Sequence, residues 1–95
     1  SLLSYPMGEE AMYMLQRLID APKRVVGAKQ VLRALREGQL QCAYVAIDAD
    51  PFVTRRVIDA CDKAKVPVLE TDCMRELGQI CGIEVGAAAA GIARN

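Results

Sequence analysis

CAYVAIDADP (Cys42 to Pro51) compresses a strand, a turn and a helix start into one short stretch. Cys42 to Ile47 is a continuous apolar run bounded by polar residues, the pattern of a strand buried on both faces. Asp50 suits an N-cap, because its short carboxylate can accept an amide of the first turn. Pro51 suits the first helical position, where no N–H is needed. Val53, Val57, Ile58 and Cys61 then recur at helical spacing and carry the helix to about Lys65.

The same alternation extends outward in both directions. Upstream, GEEAMYMLQRLIDAPK places Met12, Leu15, Leu18 and Ile19 at helical spacing after two acids that suit a helix start, and Pro22 stops it. RVV is a short β-branched strand ending at Gly27. A second helix follows at once, with Ala28, Val31, Leu32 and Leu35 on one stripe, Lys29, Arg33 and Arg36 on its flank, and Glu37 and Gly38 at its end. Downstream, VPVL is a strand, Asp72 is placed to cap a fourth helix carrying Met74, Leu77 and Ile80, and Gly82 halts it. GIEVGAAAAGIA reads as a last strand whose small residues suit crowding by helices. Helix and strand alternating four times imply a sheet sandwiched between helices, in an α/β or α/β/α arrangement. Residues 8–95 form the single domain, and residues 1–7 (SLLSYPM) read as a loose leader outside it.

At 95 residues and 53% hydrophobic, the chain can bury one modest core. No apolar run is long enough to span a bilayer and no secretory leader is visible, so the expectation is a soluble, cytoplasmic protein. Net charge is zero, with 12 basic and 12 acidic residues. The basic residues are unevenly spread: Arg17, Lys23, Arg24, Lys29, Arg33 and Arg36 lie between positions 17 and 36 with only Asp20 against them. Such a segment points to one basic surface. Its bland alternative is a solvated helix face.

Catalysis has little to draw on. There is no histidine, which removes the commonest general base and metal ligand. Cys42, Cys61, Cys73 and Cys81 never form a C-x-x-C pair and sit in apolar contexts. They read as free thiols in a reducing compartment, with no zinc and no other cofactor. Asp48, Asp50, Glu70 and Asp72 lie after strands, where open α/β sheets place active sites, but each is explained by capping a helix or ending a strand. No nucleophile–base pair and no glycine-rich nucleotide loop accompanies them.

The second helix start carries more. Gly27 has no side chain, so a ligand backbone can approach the free N–H groups of the first turn, where the helix dipole favours phosphate. Lys29 adds a point charge, and Arg33, one turn on, is expected to point the same way. Gln30 offers a donor–acceptor amide suited to a base edge. Tyr5, Tyr13, Tyr44 and Phe52 are not interleaved with the basic residues, so a stacking platform for single strands is not expected. The partner class these residues point to is structured RNA, expected to be read by shape and a few base edges.

VVGAKQVLRALREGQ, VAIDADP and VPVLETDCMRELGQICGIEVGAAAAGI together, in order and spacing, resemble the kink-turn RNA-binding ribosomal protein family. That family includes the archaeal large-subunit protein of the seven-Ae type, and the resemblance is nearest to its small bacterial YbxF-like members. It covers about Lys23 to Ile92. It implies a three-layer α/β/α sandwich with a four-stranded mixed sheet, no enzymatic activity, and recognition of RNA kinked beside tandem sheared G·A pairs. In archaeal and eukaryotic members the helix-two motif reads Gly-x-Asn-Glu-x-x-Lys. Here Gly27, Ala28, Lys29, Gln30 and Arg33 hold those positions, and Lys-Gln in place of Asn-Glu is similar to the bacterial branch. The resemblance further places Asp50 near a flipped-out base, and Ile83, Glu84 and Val85 in a loop packed on the kink. Gly86 stands where proline is frequent, which implies a floppier loop and weaker binding.

The resulting expectation is a monomeric, bacterial, ribosomal-protein-like module that binds kink-turn RNA, ribosomal RNA among the candidates, on the ribosome or off it, and makes no contact with membrane. The alternative is a protein–protein adaptor of the same fold without tight RNA binding. A carboxylate-dependent enzyme ranks third.

Overall fold

The computed structural model describes residues 3–4 and 9–94. Its elements are β1 (Leu3–Ser4), α1 (Glu9–Asp20), β2 (Arg24–Val26), α2 (Ala28–Arg36), β3 (Leu40–Ala46), α3 (Pro51–Ala64), β4 (Val68–Thr71), α4 (Met74–Ile80) and β5 (Ala89–Ala93). The sheet order is β1-β4-β3-β5-β2. Four strands, β4-β3-β5-β2, make the mixed sheet: β3 and β4 run parallel, and β5 runs antiparallel to both β3 and β2. The two-residue β1 adds a parallel edge, pairing Leu3 with Val68 and Ser4 with Leu69. Two residues of the expected loose leader therefore sit on the sheet. Residues 1, 2 and 5–8 lie outside the described residues.

β3 explains why its run is apolar throughout. Cys42, Tyr44 and Ala46 face a core completed by Leu18 of α1, Leu77 of α4, Leu69, Ala90 and Ile92. Ala43 and Val45 face a second core, with Val31 and Ala34 of α2, Val57 and Cys61 of α3, and Val68. Alternate side chains of one strand thus serve both layers, α1 and α4 on one face and α2 and α3 on the other. Tyr44, fully buried, donates its hydroxyl to the Met14 carbonyl at 2.6 Å, so its polar tip is satisfied inside the first core.

Three expectations change in detail. The seam of α1 runs through Met14, Leu15 and Leu18, while Met12 and Ile19 are 72% and 46% exposed. At about 100° per residue, Met12 and Ile19 lie more than a quarter-turn off the line through Met14 and Leu18, so they face away from the sheet. The last strand is shorter than its small-residue run: residues 82–88 form a loop, and only Ala89–Ala93 pair. Asp72 does not cap α4. Cys73 occupies the N-cap, its Sγ accepting the Glu76 N–H at 3.4 Å, and Asp48 supplies the charged acceptor, taking the Met74 N–H at 2.8 Å.

Cys42, Cys61 and Cys81 are buried as free thiols and Cys73 is half-buried. Burial pushes the Cys61 thiol up to about 12, with the nearby Asp62 and Cys42 adding to it, and burial likewise raises Cys81. No helix among the described residues is long and apolar enough to cross a membrane.

Candidate nucleic-acid interface

Parallel strands end together. Because β5 runs against its neighbours, the C-terminal ends of β2, β3 and β4 meet the N-terminal end of β5 at one end of the sheet. The helices α2, α3 and α4 all begin there, and the 82–88 loop returns there from α4. The topology alone therefore gathers Gly27 to Gln30, Asp50 and residues 83–85 onto one tip of the molecule.

Gly27 is the hinge between β2 and α2. Its φ of 101° and ψ of 145° lie where side chains are rarely tolerated, and its N–H donates to the Ala89 carbonyl at 2.8 Å. Its own carbonyl accepts the Val31 N–H at 3.0 Å, which starts the helix and leaves the amides of Ala28, Lys29 and Gln30 without intrahelical acceptors. No side chain caps them and no acid stands in the first turn. The Gln30 amide folds back over the glycine, with Oε1 2.6 Å from the point a Cβ at position 27 would occupy. Lys29 and Gln30 are exposed. This mouth presents donors, a cation and a two-way amide together.

Asp50 caps α3: Oδ1 accepts the Phe52 N–H at 2.9 Å, and its carbonyl accepts the amides of Val53 and Thr54. The residue is exposed, and the cap engages one of its two carboxylate oxygens. The 82–88 loop is pinned rather than free. The Ile83 N–H donates to the Gly78 carbonyl and the Ala87 N–H to the Met74 carbonyl, each at 3.0 Å. A methyl group on Gly78 would collide with the Val85 carbonyl oxygen, so only glycine lets the loop lie this close to α4. The floppiness expected from Gly86 is thus opposed by bonds on both sides of it. Ile83 is half-buried against the first core, while Glu84 and Val85 project into solvent.

Two residues at this tip had not been singled out. Ile47 and Phe52 are 61% and 84% exposed, and with Val85 they give the tip an apolar component. Their signal in the sequence is positional. Ile47 ends the apolar run beyond the last paired residue of β3, and Phe52 lies off the Val53–Val57–Cys61 stripe.

Arg33 departs from expectation. Its Nε lies 3.4 Å from the Glu37 carboxylate, so the guanidinium reaches toward the C-terminal end of α2 and away from the mouth. The basic segment is also not one surface. Arg24 leaves the edge strand toward the other layer and donates to the carbonyls of Ile80, at 2.9 Å, and Ile19, at 3.4 Å. Arg17 sits on α1, so of the six cations only Lys29, Arg33 and Arg36 share α2. Among the described residues no cluster of acids and cysteines is arranged to hold a metal ion.

The fold and this tip define a small α/β/α domain in which two helix starts are held by aspartates and the third follows an uncapped glycine turn. The chain belongs to the ribosomal protein L7Ae/L30e/S12e/Gadd45 family, whose model matches residues 10–95. It is 47% identical over 79 residues to an RNA-binding protein of Geobacillus sp. (strain WCH70), covering 83% of this chain and 96% of the relative. It is 44% identical, with the same coverage, to the RNA-binding protein YbxF of Geobacillus stearothermophilus. Among solved structures, the Giardia lamblia 15.5kD RNA binding protein superposes with a TM-score of 0.82 at 23% identity, covering 96% of this chain and 79% of that one. That likeness shows the shared fold.

Proposed function

We propose that this protein binds structured RNA at the sheet end where α2 and α3 begin, and that its preferred target is a kink-turn. The observation that carries the reading is the α2 mouth: three amides without intrahelical acceptors, Lys29 beside them, and the Gln30 amide poised over Gly27. Lys29 and the free amides hold phosphate and set affinity, and Gln30 reads a base edge. Asp50, with one carboxylate oxygen engaged in its cap, meets an extruded base with the other. The exposed atoms of Ile47, Phe52 and Val85 cover apolar surface that the kink opens. Relatives named as RNA-binding proteins support this reading. The function in this reading is non-catalytic: two of the four carboxylates considered for catalysis, Asp48 and Asp50, hold helix starts. The protein works as a cytoplasmic monomer.

The test is a titration of a kink-turn RNA beside a straight duplex of equal length. The wild type should prefer the kinked RNA at moderate salt. Gln30→Ala should lose about 1 to 3 kcal/mol on it and leave the weak duplex binding nearly unchanged. A wild type that binds the two RNAs equally would overturn the kink-turn reading. A second reading, an adaptor that docks protein, is favoured by Met12, Tyr13 and Ile19, all exposed on α1. It predicts that Met12→Glu abolishes a partner contact while RNA binding is absent from the wild type.

A further inference from the structure

We propose that the groove between α2 and α3 is a second phosphate track, which carries the backbone of an RNA stem away from the α2 mouth; this rests on the RNA-binding reading above. Four cations follow the groove: Lys29 at the mouth, Arg36 and Arg56 facing each other across its middle, and Lys63 at its far end. All four are exposed, and none makes an ion pair among the described residues. The acid on the groove wall, Asp59, lies 3.7 Å from Arg55, which offsets its charge.

Charge and shape agree on the occupant. The floor is made by half-buried Leu32 and Leu35, which set the helices apart and leave the cations on the rims. Lys29 to Arg36 on α2, and Arg56 to Lys63 on α3, each span two helical turns, about 10 Å. An extended anion with repeated charges fits that length, whereas a single phosphate would engage only one end. Lys29 belongs to both the mouth and the groove, so a strand held at the mouth is already aligned with the track. A phosphodiester backbone is the ligand this continuity selects. The contacts carry no base information, so the groove adds affinity without discrimination.

The experiment uses the full chain, the double variant Arg36→Gln/Arg56→Gln, poly-glutamate as an acidic polypeptide, and three RNAs: a kink-turn with a long flanking stem, the same kink with that stem trimmed away, and a straight duplex. The double variant should bind the long-stem RNA and the duplex roughly tenfold more weakly, with the salt slope reduced by about 1.4 to 1.8 for two lost contacts. Its affinity for the trimmed RNA should match the wild type. Unchanged binding to the long-stem RNA would overturn the proposal, and so would an equal loss on long and trimmed RNAs. Loss of binding to poly-glutamate with RNA affinity intact would also overturn it and assign the groove to an acidic polypeptide. The two readings separate cleanly. If the wild type ignores the kink but the double variant still weakens duplex binding, the groove stands and the kink reading falls. If the kink is recognised and the double variant binds normally, the reverse holds.

Discussion

Asp48 Oδ1 accepts a hydrogen bond at 2.8 Å from the backbone N–H of Met74, so a carboxylate from the end of β3 caps the helix that follows β4. The Met74 carbonyl in turn accepts the Ala87 N–H, which ties the loop before β5 to the same point. Asp48→Ala is expected to cost about 1 kcal/mol of stability, and Asp48→Asn to retain most of it, because the acceptor remains. Urea unfolding measures both. Hydrogen exchange at Ala87 should accelerate in the alanine variant. Slow exchange there would show that the loop is held independently of the cap.

Asp50 separates stability from binding. Asp50→Ala should lose about 1 kcal/mol through the missing bond to the Phe52 amide. Asp50→Asn should keep the cap, since asparagine is as good an acceptor there. If the carboxylate meets an extruded base, both variants bind kink-turn RNA more weakly. A full-affinity alanine variant would make Asp50 a cap and nothing more.

Lys29 should act on every RNA alike. Lys29→Ala is expected to weaken kinked and straight RNA by similar factors and to lower the salt slope by roughly 0.7 to 0.9. Arg33→Ala should change the slope by less, because that guanidinium is already directed at Glu37. Fluorescence titrations at several salt concentrations give the slopes. An effect of Lys29→Ala confined to the kinked RNA would assign it a base contact.

Stability should fall on the alkaline side. The Cys61 thiol is raised from 9.0 to about 12 in the folded protein, and Tyr44 and Cys81 are raised by burial as well. Between those values the unfolded chain releases a proton that the folded chain keeps. It therefore binds fewer protons, and stability declines as pH rises. Below pH 9 both states hold the Cys61 proton and its effect vanishes. The slope for one such group is at most about 1.4 kcal/mol per pH unit. Unfolding midpoints taken from about pH 7 to 11 should be level and then descend, and Cys61→Ala should descend less steeply. A midpoint that stays level throughout the range contradicts the burial argument.

Local signals were the legible ones. The doubly apolar β3 run, the Asp50–Pro51 helix start and the Gly27 turn are each written within a few residues, and the structure has all three. The α4 cap is not legible locally, because its acceptor, Asp48, lies 26 positions from Met74 and no nearby pattern announces it. Arg24 has basic sequence neighbours, but an edge strand can send a side chain to either layer, and the choice is made by tertiary packing. By sequence, Ile47 belongs to the apolar strand run and Phe52 to the helix that Pro51 starts. Their exposure depends on where the sheet ends, which periodicity fixes only loosely. The candidate site is legible as a motif and as a resemblance. The gathering of its parts at one end follows from strand directions that the sequence does not state.

The shared start of α2, α3 and α4 has an electrical consequence that the zero net charge conceals. Three peptide-bond arrays aligned the same way give the molecule a front and a back, so a polyanion exerts a torque on it before any contact forms. Diffusional encounters are thereby biased toward the orientation in which the proposed interface faces the RNA. A protein without net charge can in this way associate with RNA faster at low ionic strength than at high, through its orientation and not through its total charge.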